Sequence, residues 1–331
     1  MEGSDVPVME ARNLVKQFKG TVKALSDASF KVMPGESVGY LGPNGAGKST
    51  TIKIFTTLIW PTSGRAFIEG HDVTTEQKKA LANTGSLVEM PGLYDYLTPL
   101  EMMEYVGRVY GMHKKDIEAR AEEVLKQLGL GDWMDKRMRT FSTGMRRRYS
   151  IGQAVLHDPN LVILDEPVLG LDPAGIREIR YFLQGLKKEG KTVFLSSHLL
   201  GEVEEVCDRV LLINKGQILA EESLAELRKS IAGGYLVLYN ESPSKEDVEK
   251  ISAIAGVACA EVDGKQVRVK ADGRIRQGDL AKVALVEGKA NGIWPLTPNL
   301  EDIYIKIING GSTKDEETIC KPTADAEGGV E

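Results

Sequence analysis

A glycine-rich loop carries the clearest chemistry in this sequence. Its residues fit the pattern G-x-x-x-x-G-K-[ST] and are Gly42, Pro43, Asn44, Gly45, Ala46, Gly47, Lys48, Ser49 and Thr50. Glycines let a backbone curl so that its N–H groups face phosphate oxygens. The pattern predicts that Lys48 reaches the β- and γ-phosphates of a nucleotide and that Ser49 ligates Mg²⁺. We therefore expect a phosphate-binding loop here.

Two carboxylates follow a continuous apolar run later in the chain. The run Leu161–Leu164 suits a strand that is covered on both faces, and Asp165 and Glu166 come directly after it. Parallel sheets present their reactive groups at the ends of such strands. Asp165 can hold Mg²⁺ through water, and Glu166 can polarise an attacking water. Together with the loop, this pair predicts nucleotide hydrolysis.

The loop and the two carboxylates fall among strands and helices that alternate along the chain. The loop lies between a predicted strand at Ser37–Leu41 and a predicted helix at 48–58. The middle of the chain is rich in helices, with Thr98 and Glu101 at a capping-box spacing. The remaining predicted elements are helices at 98–129 and 143–157, a strand at 161–164, a helix at 173–188, a strand at 192–196 and a helix at 199–207. This order predicts an α/β fold with a mostly parallel sheet.

The pattern of apolar and polar residues changes near residue 230. The pattern predicts a strand at 235–239, a helix at 244–254, a hairpin at 257–270 around Asp263-Gly264, and a helix at 276–286. We expect a small α+β domain over residues 231–309. Residues 310–331 are mostly small and acidic, so we expect a disordered tail there.

Composition excludes several classes of protein. With 331 residues, 42% hydrophobic and 27% charged, the chain should fold as two ordinary globular domains. No apolar stretch is long enough to span a bilayer, which predicts a cytoplasmic protein. Three scattered cysteines argue against a structural metal site. A net charge of −6 disfavours nucleic acid as a partner, and Arg146, Arg147 and Arg148 suit a solvated helix face or a protein contact better.

A short segment narrows the class of nucleotide-hydrolysing protein. Phe141-Ser142-Thr143-Gly144-Met145 resembles the signature of the ATP-binding-cassette family, which is usually Leu-Ser-Gly-Gly-Gln. Ser142 and Gly144 match that signature, whereas Thr143 and Met145 depart from it. The variant is similar to the signatures of exporter subunits for drugs, bacteriocins, sodium or polysaccharides.

Further residues follow in the order typical of this family. Leu169–Asp172 resembles its D-loop, so Asp172 takes that place, and Ser196-Ser197-His198 resembles its switch histidine. The resemblance places Phe18 under the adenine ring. The family usually carries a glutamine where this chain has Glu89. A carboxylate cannot donate hydrogen bonds as an amide does, but it can still hold Mg²⁺ through water, so we expect retained activity with altered coupling to the membrane subunit.

The resemblance implies a fold, an activity and partners. It implies a P-loop NTPase cassette over residues 6–230, with a helical subdomain at about 90–155, and it is weaker for the C-terminal domain and a closing helix at 298–304. It implies ATP hydrolysis with Mg²⁺, with Glu166 and His198 as catalytic residues. It also implies that Ser142–Met145 face the ATP of a second nucleotide-binding subunit. The two subunits would form either a homodimer or a mixed pair. It also implies an integral membrane permease as partner, a place on the inner face of the cell membrane, and export. The alternative is a soluble cassette ATPase that acts on ribosomes or DNA.

Overall fold

The computed structural model describes residues 6–20, 22–89, 92–224, 234–271, 275–285 and 289–296. The chain divides into two compact units, Met1–Leu224 and Ala225–Glu331. The sequence-based boundary at residue 230 stays a prediction because residues 225–233 lie outside the described ranges. The predicted closing helix at 298–304 and the predicted tail at 310–331 lie outside them as well.

Two sheets form the framework of the first unit. Its strands are β1 (Met9–Gln17), β2 (Lys23–Val32), β3 (Ser37–Leu41), β4 (Ser63–Ile68), β5 (His71–Asp72), β6 (Thr84–Leu87), β7 (Leu161–Asp165), β8 (Thr192–Ser197), β9 (Arg209–Asn214) and β10 (Gln217–Ser223). One sheet has the order β2-β1-β4-β5 and is antiparallel. The other has the order β10-β9-β3-β8-β7-β6, and only its edge strand β10 pairs antiparallel. The predicted α/β fold with a mostly parallel sheet is confirmed.

The helices of this unit follow the strands in the predicted alternation. They are α1 (Lys48–Phe55), α2 (Gln77–Leu81), α3 (Pro99–Val109), α4 (Lys114–Gln127), α5 (Thr143–Ala154), α6 (Pro173–Lys188) and α7 (Leu200–Val206). Helix α3 begins with the predicted capping box, in which Thr98 Oγ1 accepts from the N–H of Glu101 at 3.2 Å. The Glu101 carboxylate accepts in turn from the N–H of Thr98 at 2.8 Å. Each bond satisfies a donor that a helix start leaves without a partner.

Aromatic side chains fill the core beneath the parallel sheet. Phe30, Tyr40, Phe55 and Phe194 are buried, and the ring centroids of their contacting pairs lie 5.3–5.8 Å apart. Burying one such side chain contributes about 1.5–3 kcal/mol. All five residues of β3 are buried, as expected for a strand covered on both faces. The strand that precedes the phosphate loop is therefore fixed within the core.

The second unit is a small α+β structure with its own core. It contains β11 (Gly234–Tyr239), α8 (Lys245–Ser252), β12 (Val257–Asp263), β13 (Gln266–Ala271), α9 (Gln277–Ala284) and β14 (Ala290–Leu296). Its sheet is antiparallel with the order β12-β13-β11-β14. The predicted hairpin joins β12 and β13, where Gly264 has a φ of 64°. Val237, Val267 and Leu280 are fully buried within it.

Candidate active site

The strand order brings three chain segments to one edge of the parallel sheet. Strand β3 lies beside β8, and β8 lies beside β7. Because these strands are parallel, the residues after their carboxyl ends meet there. These residues are the loop after Leu41, Glu166 after β7, and His198 after β8. Residues far apart in the sequence thus share one site.

The phosphate loop lines a cavity of about 340 Å³ at this edge. The Lys48 ammonium is nearly buried and donates to the carbonyl of Gly42 at 2.8 Å. Helix α1 begins at Lys48, so its N-terminal N–H groups add partial positive charge beside the loop. Gly47 has a φ of 113°, and a Cβ there would lie 2.6 Å from the carbonyl oxygen of Ala24. This position therefore requires glycine.

Glu166 joins the lysine and the histidine in the same cavity. One carboxylate oxygen lies 3.3 Å from Lys48 Nζ, and the other lies 2.8 Å from His198 Nδ1. The Glu166 side chain is only 16% exposed. All three residues line the cavity, together with Ser49 and Thr50 of the loop. The structure thus brings the predicted catalytic pair to the phosphate loop.

Asp165 is not among the residues that line this cavity and is held by the neighbouring strand. Its carboxylate accepts from Ser196 Oγ at 2.5 Å, and the side chain of Ser196 is fully buried. Ser196 Oγ also accepts from the N–H of Glu166 at 3.0 Å. One hydroxyl therefore fixes both acidic residues. No separate role for Ser196 is predicted from the sequence, although its place two residues before His198 is a usable signal.

Oxygen ligands near the loop suit Mg²⁺. This hard cation takes oxygen ligands, keeps several waters and is usually bound through one or two carboxylates together with substrate phosphates. Ser49 lines the cavity, and Asp165 at the end of β7 supplies a nearly buried carboxylate. These residues fit the predicted ion.

Phe18 and Glu89 are among the predicted site residues that do not line this cavity. Phe18 follows β1 and is 44% exposed, with Lys16 Nζ 5.1 Å from the centroid of its ring. Glu89 pairs instead with Lys53 Nζ of α1 at 2.5 Å and lines a separate cavity that includes Tyr110. Neither residue is among those that line the phosphate cavity. Their roles toward adenine and Mg²⁺ stay predictions.

The predicted signature forms the start of a helix. Ser142 caps α5, and its hydroxyl accepts from the N–H of Met145 at 3.2 Å. Thr143 is exposed, Gly144 is partly exposed, and Met145 is nearly buried. The D-loop residue Asp172 caps α6 by accepting from the N–H of Gly175 at 3.1 Å. None of these residues lines the phosphate cavity of the same chain.

The prediction of a solvated helix face is wrong for Arg147. Its side chain is buried, with only 7% of the residue exposed, and its guanidinium donates to main-chain carbonyls of residues 165–167. Arg146 and Arg148 pair with Asp95 and Glu178. Successive helical residues point about 100° apart, so one of three neighbouring arginines faces inward.

Comparisons with known proteins agree with this geometry. Residues 25–169 match the model of the family described as ABC transporter. The uncharacterised ABC transporter ATP-binding protein YdbJ of Bacillus subtilis is 43% identical over 219 residues, which are 66% of this chain and 70% of YdbJ. The bacitracin transport ATP-binding protein BcrA of Bacillus licheniformis is 36% identical over 314 residues, which are 92% of this chain and 98% of BcrA.

A solved structure shows the same fold with reaction products. The dimeric ATP-binding cassette MJ0796, in a post-hydrolysis state with ADP and Pi, is 26% identical and superposes with a TM-score of 0.60. The match covers 65% of this chain and 98% of that structure's chain. The chain therefore belongs to the family of ABC transporter ATP-binding proteins and is an ATP-hydrolysing subunit of such a transporter.

Proposed function

We propose that this chain closes over ATP together with a second nucleotide-binding subunit and drives an exporter in this way. The observation that carries the proposal is the Glu166 carboxylate, which lies between Lys48 and His198 in the phosphate cavity. A carboxylate in this place can accept a proton from water, and a lysine can bind the phosphates under attack. The site thus has the parts that hydrolysis requires.

The proposed reaction assigns a role to each of these side chains. Lys48 and the loop N–H groups hold the phosphates of ATP, and Glu166 takes a proton from the attacking water. The water oxygen bonds to the γ-phosphorus while the bond to the β–γ bridging oxygen breaks, which yields ADP and phosphate. His198, at 2.8 Å from the carboxylate of Glu166, orients that carboxylate. Ser49 and Asp165 would hold Mg²⁺, which neutralises phosphate charge during the transfer.

The need for a second subunit is supported by the location of the signature. Ser142, Thr143, Gly144 and Met145 are not among the residues that line this chain's own phosphate cavity. Their helix α5 presents an N-terminus, which favours an anionic ligand. In a head-to-tail pair with two-fold symmetry, the signature of each subunit would cover the ATP of the other. The dimeric state of MJ0796 supports the same arrangement.

Export through a separate permease is the transport role we propose. BcrA, which aligns over 98% of its length, is a bacitracin transport protein. Within the described residues, we find no helix with the length and apolarity needed to cross a membrane. An integral permease would supply the pathway, and this subunit would bind it on the inner face of the membrane. No described feature favours the alternative of a soluble cassette on ribosomes or DNA.

The Glu166→Gln variant tests this function. We expect it to bind ATP and to hydrolyse it at least a hundredfold more slowly. It should accumulate as an ATP-bound dimer, because without hydrolysis there are no products whose release would open the pair. Light scattering with and without ATP would measure the dimer, and phosphate release would measure turnover. The variant Glu204→Gln is a matched control on α7. An unimpaired rate in Glu166→Gln would remove Glu166 from the mechanism.

A further inference from the structure

Arg147 of α5 reaches the turn that carries the catalytic carboxylate. Its Nη2 donates to the carbonyl of Asp165 at 3.0 Å and also to the carbonyl of Glu166. Its Nε donates to the carbonyl of Pro167 at 3.2 Å. One guanidinium thus binds three consecutive peptide groups. Arginine suits this role because its donors form a rigid planar fork.

The peptide held in this way has an unusual conformation. Glu166 has a φ of 48°, which lies in the left-handed region that residues other than glycine rarely adopt. Such a conformation persists only where the surroundings hold it. Ser196 binds the N–H of Glu166 through both its carbonyl oxygen, at 3.2 Å, and its hydroxyl, at 3.0 Å. Arg147 binds the carbonyl side of the same residue.

Burial of the arginine indicates a specific need for it. Burial lowers the pKa of Arg147, while the nearby carboxylates of Asp165 and Glu166 oppose that shift. An arginine remains charged at neutral pH even so. Placing a charge in the interior is costly unless hydrogen bonds satisfy it. Here those bonds go to the backbone of the catalytic turn.

We infer that Arg147 is a positioning residue that holds the Glu166 turn in its left-handed conformation and ties it to the helix of the signature. Helix α5 begins at Thr143, one turn before Arg147. A displacement of the signature when it meets a partner's ATP would therefore move the anchor of this chain's own Glu166. This second step rests on the proposed pairing of two subunits, whereas the positioning of Glu166 does not.

Steady-state kinetics of the full chain test the inference, with Arg147→Gln and Arg147→Lys beside Arg148→Gln. Arg148 is a matched control because it is on the same helix and is also partly buried. It contacts Glu178 and the carbonyl of Leu128 rather than the catalytic turn. We expect Arg147→Gln to lower kcat about a hundredfold, the loss typical of a slightly misplaced catalytic group. The KM for ATP should change by less than about threefold, since the phosphate loop is intact.

The lysine variant keeps the test informative if the glutamine variant does not fold. A lysine ammonium retains the charge but cannot match the planar fork, so kcat should fall about tenfold while the melting temperature stays near that of the wild type. ATP-dependent dimerisation should persist in every folded variant. A wild-type kcat in Arg147→Lys, or equal losses of kcat in Arg147→Gln and Arg148→Gln, would overturn the inference. Absence of ATP hydrolysis by the wild-type chain would instead contradict the proposed function.

Discussion

Glu166 combines an unusual backbone conformation with a side chain that contacts two other residues of the site. Its backbone has a φ of 48°, and its carboxylate lies within 3.3 Å of Lys48 and 2.8 Å of His198. Residues at strained positions cluster at active sites because the conformation aims the side chain. The turn after β7 thereby directs the carboxylate toward the phosphate loop. Ser196 and Arg147 supply the bonds that keep it there.

His157 makes the stability of the fold depend on pH. Its ring stacks on Tyr110 with centroids 3.7 Å apart. Burial lowers the pKa of His157, despite opposing contributions from the backbone of Thr84 and from Asp158. A depressed pKa in the folded state means that the unfolded chain takes up the proton first. The stability associated with this residue is therefore present above the unfolded pKa of about 6.5 and is lost as the pH falls from there through the lower folded pKa.

We predict that His157→Phe reduces the fall in melting temperature between about pH 7.5 and about pH 5.5, since phenylalanine keeps the stacked ring but has no site for the proton. Thermal unfolding followed by circular dichroism would measure this difference. The control is His113→Gln, because His113 is exposed. Parallel pH dependences for the wild type and His157→Phe would show that this histidine does not contribute.

Close packing between elements determines where α5 can lie. Strand β6 runs against α5, and a Cβ added to Gly85 of β6 would lie 2.0 Å from the carbonyl oxygen of Ala154. That atom belongs to the helix backbone and cannot move aside without shifting α5. Because α5 carries both the signature and Arg147, the approach of β6 supports the site indirectly. Glycine is required at this position because there is no room for a Cβ, and not because of its φ.

Replacement of Gly85 by alanine should therefore destabilise the first unit by about 1–3 kcal/mol, the usual cost of overpacking. Gly185 of α6 has nothing within 4 Å of an added Cβ, so Gly185→Ala should stabilise by about 0.5–1 kcal/mol through helix propensity. Chemical denaturation of the two variants would give these opposite signs. Equal effects would contradict the role assigned to the contact between β6 and α5.

Regular elements of this chain are predictable because their signals are local. Helix α6 has its predicted bounds, Pro173–Lys188, since Asp172 caps it and Pro173 occupies its first turn. Helix α1 ends at Phe55, short of the predicted end at residue 58. The apolar run at 161–164 similarly predicts β7, which places Asp165 and Glu166 at the sheet edge.

Side-chain partners from distant parts of the chain are harder to predict. Glu89 pairs with Lys53, which lies 36 residues away, and no local pattern relates the two. The inward direction of Arg147 depends on how α5 is rotated about its own axis. Three neighbouring arginines give no local signal of that rotation. The sequence therefore predicts residues that line the phosphate cavity but gives little signal for the residues that hold them in place.

The proposed reaction needs two chains for each site. The phosphate cavity is lined by Lys48, Glu166 and His198 but not by the signature of the same chain. Two subunits related by a two-fold axis would form two composite sites, each with one phosphate loop and one signature. A defect in the loop of one subunit and a defect in the signature of the other would then leave one composite site intact.

The most direct test mixes two inactive variants, Lys48→Ala and Gly144→Asp. Lys48→Ala removes the phosphate contact, and Gly144→Asp adds a negative charge where the signature should meet a partner's phosphates. We predict that each variant alone is nearly inactive and that an equimolar mixture recovers about a quarter of the wild-type rate, because half of the pairs are mixed and each has one intact site. Near wild-type hydrolysis by Gly144→Asp alone, or no recovery on mixing, would contradict a composite site.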